Sequence, residues 1–296
     1  MFKIPVFFRP DQVVDSRSYS PSAGKAARVV ESFSNMPVDV LGFSAATAED
    51  LKSVHCSGYV NGVLSGKIEN GFKNKIDEVN QACLLHVGSF VAAADHVAEH
   101  GGVACSPTSG FHHAAYDSGA GYCTFNGLMV AANRLADRGF TVGILDCDAH
   151  YGDGTQDIID RKELAGKVTQ WSYGAEVQCF EWDDFSHGVR EYIELLAMKA
   201  NPVLFYQAGA DPHRNDPLGP GEVAGMTTFE LAARDRFVFQ LCDRLGIPVV
   251  WNLAGGYQRD AFGNCKKVIS IHRSTMVECV KVACGAEKKR ASAFKG

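Results

Sequence analysis

The sequence predicts an α/β fold in which a central, mostly parallel sheet lies between layers of helices. Short continuous apolar runs alternate with segments of helical character along most of the chain. Such apolar runs suit strands that are buried on both faces, which is the usual condition of a parallel sheet. The sequence shows no internal repeat and no Pro/Ser-rich linker, so we expect a single domain over residues 1–296.

The individual elements follow from these alternating runs. The predicted strands, in chain order, are residues 3–8, 102–105, 141–146, 167–173, 202–208 and 247–253. The predicted helices are residues 25–33, 79–99, 127–138, 187–199 and 228–245. The basic end of the chain, residues 286–296, is expected to be a flexible tail.

Composition narrows the class of protein and the partners to expect. The net charge of -5 argues against a nucleic-acid-binding protein, which would carry a basic face. The sequence contains no long uncharged apolar stretch, so we expect no membrane partner. It also shows no recognisable secretory signal, so a cytoplasmic protein is expected. The 10 cysteines are scattered without a CxxC pair, which predicts reduced, buried thiols rather than disulfides. A homo-oligomer is compatible with these observations.

Chemically reactive side chains follow four of the predicted strands. In a parallel α/β sheet, catalytic and ligand-binding side chains lie just beyond the carboxyl ends of the strands. We therefore expect these side chains to lie together on one rim of the sheet. They are Asp146, Asp148, His150 and Asp153 after one strand, Asp211 after another, His112 and His113 after an earlier one, and Tyr257 after the last.

The acids and the histidine after residues 141–146 suggest a metal site. Asp148 and His150 are two residues apart, so an extended backbone would point both side chains the same way. Asp211 can add a third ligand, and a set of this size leaves positions open, as in catalytic sites. The donors fit Zn²⁺ without excluding Fe²⁺, Mn²⁺ or Co²⁺. The alternatives are an acidic loop bonded to backbone amides and, for Asp211, a turn cap.

The adjacent histidines and the tyrosine suggest acid–base chemistry. His112 and His113 can face one cavity, where Asp146 and Asp153 would fix their tautomers and raise their basicity. Tyr257 follows a Gly-Gly pair that permits a tight turn, and its hydroxyl can meet a developing oxyanion. The alternatives are surface histidines and a tyrosine that only packs against a βα turn.

In combination, these segments resemble the zinc-dependent histone deacetylase / acetylpolyamine amidohydrolase family. The similar segments are residues 55–60, 110–114, 121–126, 146–156, 209–219 and 255–257. They occur in the family's order and cover most of the chain. The resemblance implies a three-layer arginase/deacetylase-like fold and a hydrolase that acts on linear amides.

The resemblance also implies a role for each matching residue. Zn²⁺, one ion per chain, would be held by Asp148, His150 and Asp211. His113 with Asp153 would act as general base and then as general acid, and His112 with Asp146 would orient water. Tyr257 would donate to the amide carbonyl, while Gly121 and Tyr122 would line a tunnel for the acyl chain. Family members also bind K⁺ close to the zinc, and Ser172 resembles part of that site.

The sequence departs from the family at positions that affect substrate choice. Tyr151 replaces a histidine that is not a ligand in the family. Leu218 stands where polyamine-specific members of one branch carry glutamate, which favours acyl-lysine or another neutral-tailed amide. We therefore predict a zinc-dependent deacetylase that removes acetyl or other short acyl groups from an amine such as lysine. The alternatives are an acetylpolyamine amidohydrolase, an esterase on the same zinc site, a non-catalytic acyl-lysine reader and an arginase-like binuclear manganese hydrolase.

Overall fold

A computed structural model describes the backbone of residues 3–293 and, in the last helix, the side chains as far as residue 285. Within that part of the chain, seven parallel strands form one sheet in the order β2-β1-β3-β7-β6-β4-β5. The strands are β1 Ile4–Phe7, β2 Val38–Leu41, β3 Val103–Ser106, β4 Thr141–Asp146, β5 Val168–Ser172, β6 Pro202–Gln207 and β7 Val249–Asn252.

Helices connect the strands and cover both faces of the sheet. They are α1 Ala26–Glu31, α2 Ala48–Lys52, α3 Ser57–Leu64, α4 Asp77–His100, α5 Gly127–Asp137, α6 Asp153–Arg161, α7 Tyr173–Glu176, α8 Trp182–Ala197, α9 Gly221–Ala224, α10 Thr228–Leu245 and α11 Lys266–Ala293, with a 3-10 turn at Pro10–Gln12. The predicted α/β class and the mostly parallel sheet are confirmed.

Two hydrophobic cores hold the layers together, one on each face of the sheet. On one face, Phe90 of α4 packs edge-on against Phe205 of β6 in a core that also includes the buried side of α5. On the other face, Phe239 of α10 packs against Trp251 of β7, together with α8 and α11. Because the strands are buried on both sides, they read in the sequence as continuous apolar runs.

The sequence prediction missed one strand and several helices. Strand β2 lies at the edge of the sheet and is only partly buried, so it lacks a continuous apolar run and carries the exposed Asp39. Helix α11 was missed because its β-branched residues, such as Val268 and Ile271, favour strands by intrinsic propensity. Packing of this face in the core beside α10 makes the segment helical despite that preference.

The strand order brings the functional loops together. Strands β3, β7, β6 and β4 are consecutive neighbours in the sheet, and the last residues of β4, β6 and β7 are in register. Because all strands are parallel, the loops that follow them leave from the same edge. The catalytic candidates after these four strands therefore meet at that edge.

Two further predictions concern the ends and the surface of the molecule. Residues 286–296 were expected to form a flexible tail; the backbone of α11 is helical as far as Ala293, and the remaining residues lie outside the described part of the chain. Over the described residues, no helix combines the length and the apolar character that crossing a membrane demands.

Candidate active site

Three predicted metal ligands meet at the carboxyl edge of the sheet. Asp148, His150 and Asp211 each offer one ligand atom, and these atoms lie within 4.8 Å of one another. His150 Nδ1 is 2.9 Å from Asp148 Oδ1 and 3.2 Å from Asp211 Oδ2. Both carboxylates are buried, whereas the histidine is half-buried, so the cluster is open to solvent chiefly at His150.

The backbone around the cluster bends rather than running extended. The sequence argument placed Asp148 and His150 on the same side of an extended segment, but β4 ends at Asp146 and the chain then bends through residues 148–150. The bend is held by the amides of Asp148 and His150, which donate to Asp146 Oδ1 and Asp148 Oδ1. The amide of Gly255 donates to Asp148 Oδ2 over 2.7 Å. The predicted ligands come together because carboxylates accept hydrogen bonds from these amides. The alternation of side chains along an extended strand does not bring them together.

The charges of the cluster favour a bound cation. Burial and the negative charge of Asp148 raise the pKa of Asp211 to about 8. Burial acts the same way on Asp148, but the positive charge of His112 and the bond from His150 hold its pKa well below the ordinary value. Asp211 Oδ2 is buried and, among the described residues, no donor meets it with hydrogen-bond geometry. Two carboxylates and one imidazole of this kind fit a divalent metal ion.

His112 forms a buried pair with Asp146. Its Nδ1 donates to Asp146 Oδ2 over 2.8 Å, and its Nε2 lies 3.8 Å from Asp148 Oδ1. Although burial alone would lower it, the charges of Asp146 and Asp148 raise the pKa of His112 to about 9. The alternative of a surface histidine is therefore wrong for His112, which is a buried cation near neutral pH in the metal-free protein.

His113 forms a second pair in a different environment. Its Nδ1 lies 2.6 Å from Oδ1 of Asp153, and the Asp153 carboxylate is largely exposed. The rings of His112 and His113 are only 4.0 Å apart between centroids. Burial and the positive charge of His112 lower the pKa of His113. The same surroundings thus favour the charged form of His112 and the neutral form of His113, a division typical of acid–base sites.

Tyr257 and Tyr122 flank the approach to the cluster. Tyr257 is buried, and its amide donates to Asp216 Oδ2 over 2.7 Å. The Tyr122 ring lies 5.9 Å from the Tyr257 ring, and Tyr122 has a left-handed φ of 65°. Gly121 also has a positive φ of 52°, and a Cβ there would collide with the His113 ring. This close approach requires glycine at position 121.

A narrow cavity is lined by five of the eleven predicted site residues. It is lined by His112, Gly121, Tyr122, Asp148 and Tyr257, among others. Leu218 is not part of this lining: its side chain is partly exposed, and its amide donates to Asp216 Oδ1. Leu218, from which the sequence inferred a substrate preference, therefore does not line this cavity.

His55 lies in the family-like segment of residues 55–60 and supports the site from outside the cavity. His55 accepts a hydrogen bond at Nε2 from the amide of Asn126, which leaves its Nδ1 to donate to the Ala115 carbonyl over 2.8 Å. Burial lowers the pKa of His55 to about 4, so the ring is neutral. Asn126 in turn donates to the Ala114 carbonyl. These residues fix the loop that carries the histidine pair.

Sequence reasoning missed three buried residues beside the site. Lys25 donates from Nζ to the carbonyls of Ala254 and Gly255, and burial lowers its pKa to about 8. Gln207 lines the cavity, and among the described residues its buried Nε2 has no acceptor. Asp216 holds the Tyr257 amide, and its place in the DPLG segment was a signal that could have found it. Nothing in the local sequence marks Lys25.

Sequence comparison relates the chain to known proteins. The family model of the histone deacetylase domain matches residues 22–173 and 166–273. An uncharacterized protein of Picosynechococcus sp. is 30% identical over 248 residues, which cover 76% of this chain and 80% of that protein. Acetylpolyamine amidohydrolase 1 of Pseudomonas aeruginosa is 27% identical over 54% of this chain. The match spans 51% of that amidohydrolase, about half its length.

Structural comparison supports the same fold. The crystal structure of an acetylpolyamine aminohydrolase from Burkholderia pseudomallei superposes with a TM-score of 0.70 and 19% identity. The superposition covers 94% of this chain and 98% of the other. The predicted deacetylase-like architecture is therefore confirmed.

Proposed function

Because the chain belongs to the histone deacetylase domain family, we propose that it is a zinc-dependent amidohydrolase that removes acetyl or other short acyl groups from an amine. One observation carries the proposal: the metal-ligand cluster, two His–Asp pairs and a tyrosine lie together at one edge of the sheet. Each of these parts is common alone. Together they provide a Lewis acid site, a base and an oxyanion donor.

The metal ion would be held by Asp148, His150 and Asp211. The buried Asp211 oxygen without a suitable donor and the mixed oxygen and nitrogen set support one Zn²⁺ at this cluster. When bound, zinc supplies polarisation of the amide carbonyl and acidification of a water molecule. A K⁺ site is also proposed, because buried Ser172 lies beside Asp146 in the register of β4 and β5.

The side chains around the metal site would move the protons. His113, held by Asp153, takes a proton from the attacking water and later gives it to the leaving amine. His112, held by Asp146, stabilises the negative charge that develops beside it. The Tyr257 hydroxyl donates to the oxyanion, and Gly121 with Tyr122 borders the path of the acyl chain. The products are a free amine and a carboxylate.

The proposed amine is one such as a lysine side chain, and a polyamine, another small amide or an ester is the alternative. Leu218 favoured a neutral-tailed amide in the sequence, but its side chain does not line the cavity, so this argument against polyamines is weak. An acetylpolyamine amidohydrolase among the relatives supports the polyamine alternative. A non-catalytic reader is disfavoured because binding alone needs no pair of His–Asp dyads. Binuclear manganese chemistry is disfavoured because the described residues supply one three-ligand cluster.

The decisive experiment measures acetate release by the zinc-loaded protein from an acetyl-lysine peptide and from N-acetylputrescine. Release from the peptide supports lysine deacylation, and release only from the putrescine derivative supports the polyamine alternative. The matched control is His113→Ala, which should retain zinc but lose turnover. An absence of hydrolysis of either amide, of longer acyl-lysines and of an acetate ester, with zinc bound, would contradict the proposed function.

A further inference from the structure

A buried arginine ties together the two loops that carry the metal-ligand cluster. Arg234 lies on α10 and its side chain is completely buried. Its Nη1 donates to the carbonyl of Cys147 over 3.2 Å and to the carbonyl of Gly209 over 2.9 Å. Cys147 directly precedes the ligand Asp148, and Gly209 lies two residues before the ligand Asp211. A single nitrogen atom thus connects the loops after β4 and β6.

These two carbonyls occur where the sheet ends. Strand β4 ends at Asp146 and strand β6 at Gln207, so the carbonyls beyond them no longer lie within the strand ladder. Buried carbonyls need donors, and Arg234 provides one for both. The loops are already packed tightly, because a Cβ at Gly209 would come within 2.8 Å of Asp148 Cα and of Asp211 Oδ1. The arginine holds the loops at this short separation.

Asp235 fixes the direction of the guanidinium. Arg234 Nε donates to Asp235 Oδ1 over 2.9 Å, and Asp235 also accepts the hydroxyls of Tyr206 and Thr275. Thr275 lies on α11 and Tyr206 on β6, so the carboxylate is held from two further elements. With one edge of the guanidinium bound in this way, the remaining donors point in a fixed direction.

A contribution to stability alone does not account for this arrangement. Burying an ion pair costs desolvation energy, and well-packed apolar residues often stabilise a core as well or better. Here the pair is completely buried, and its charged end contacts backbone atoms next to two candidate metal ligands. Its location therefore points to a role in the geometry of the metal site.

We propose that Arg234 is a positioning residue that presets the distance between Asp148 and Asp211 and thereby raises the affinity of the cluster for a divalent metal ion. The inference rests on the proposed function, since both concern the same metal centre. Residues that orient metal ligands typically change metal affinity or activity by about 10–100-fold when they are replaced.

The test compares Arg234→Lys with wild type in the 296-residue chain. Lysine keeps the charge but has no planar fork, so it cannot bond both carbonyls and Asp235 in the same geometry. We expect the dissociation constant for Zn²⁺, measured by competition with a chromophoric chelator, to rise about 10–100-fold. The visible absorption of the Co²⁺-loaded protein should also change, because that spectrum reports ligand geometry. Wild-type affinity together with a wild-type Co²⁺ spectrum would overturn the proposal.

Thr275→Val provides the matched control. Thr275 donates to the other oxygen of the same carboxylate, and its hydroxyl bonds only Asp235 and the carbonyl of Ile271 among the described residues, not either ligand loop. This variant should lower the melting temperature of the metal-free protein and leave the zinc affinity unchanged. Equal loss of zinc affinity in Thr275→Val would mean that any loosening of this core weakens the site, and the specific role of Arg234 would be rejected.

A second variant covers the case in which Arg234→Lys does not fold. The double variant Arg234→Met with Asp235→Asn removes the ion pair without leaving an unpaired buried charge. The same zinc and cobalt measurements then apply, with the same expected and contrary results. These readouts need no substrate, so a wild-type protein that binds zinc but hydrolyses none of the amides and no acetate ester would contradict the proposed function and leave this inference standing.

Discussion

The Nδ1 atom of His113 lies 2.6 Å from Oδ1 of Asp153, in a pair that is far more exposed than its neighbour. The adjacent pair, His112 with Asp146, is almost completely buried. Two similar pairs in different surroundings have opposite shifts: the pKa of His112 is raised to about 9, whereas the pKa of His113 is lowered. This difference supports the proposed proton-accepting role of His113.

Removal of the His113 ring should abolish turnover while metal binding persists. His113 is not part of the ligand cluster, so His113→Ala should bind zinc with the affinity of the wild type. Loss of a general base typically costs about 10²–10⁴-fold in rate. Steady-state kinetics and a zinc titration on the same preparation test the loss of turnover and the retained zinc affinity. Near-normal turnover in this variant would remove His113 from the mechanism.

Asp153→Asn should shift the acid limb of the pH profile to lower pH. Burial and His112 lower the pKa of His113, whereas the bond and charge of Asp153 raise it. Without that carboxylate the pKa falls further, so the neutral base persists to lower pH. The maximal rate should fall by about 10–100-fold, because the base is weaker and less well oriented. The measurement is kcat/KM against pH, and an acid limb that moves upward would contradict the assignment.

Tyr257→Phe should lower kcat by about 10²–10³-fold and change KM little, because the hydroxyl is needed chiefly in the transition state. Asp216 positions this tyrosine through the Tyr257 amide. Asp216→Asn should therefore also lower kcat, by a smaller factor. In the double variant the two losses should not add, since the second acts through the first. Fully additive losses in this double-mutant cycle would show that Asp216 acts independently of Tyr257.

Gly121→Ala should impair catalysis more than its cost in stability explains. The new Cβ would meet the His113 ring, and φ at this position is +52°. Gly101→Ala is the matched control, because Gly101 also has a positive φ, of 69°, but has open space at its Cβ position. Gly101→Ala should lose about 1–2 kcal/mol of unfolding free energy through its backbone alone, and Gly121→Ala at least as much. Only Gly121→Ala should lose turnover, and equal activity in the two variants would show that the close approach is unimportant.

Zinc should stabilise the protein more at about pH 8 than at about pH 6. Asp211 has a pKa raised to about 8 by burial and by Asp148. In the metal-free protein this proton contributes stability that is fully present at low pH and lost as the pH rises through about 8. Zinc needs the ionised carboxylate, so protons compete with the metal below that pH. Melting temperatures with and without zinc test the trend, and a larger gain at about pH 6 would contradict it.

The sequence by itself determined six of the seven strands of the sheet and the common rim of the predicted site residues. Strands buried on both faces must be apolar along their length, so residues 141–146 and 202–208 could be recognised locally. Parallel strands place their carboxyl ends at one edge, so the acids, histidines and tyrosine that follow them could be assigned to one rim from their order in the chain.

Only the tertiary structure decided the remaining features. The edge strand β2 and helix α11 form through contacts with distant segments and against weak or contrary local signals. The buried Lys25 lies just before α1, and the buried Arg234 lies on α10. Both reach the site from segments far away in the sequence, so nothing in their local sequence marks them. Opposite pKa shifts in His112 and His113 depend on burial and nearby charge, which are properties of the folded chain and not of the local sequence.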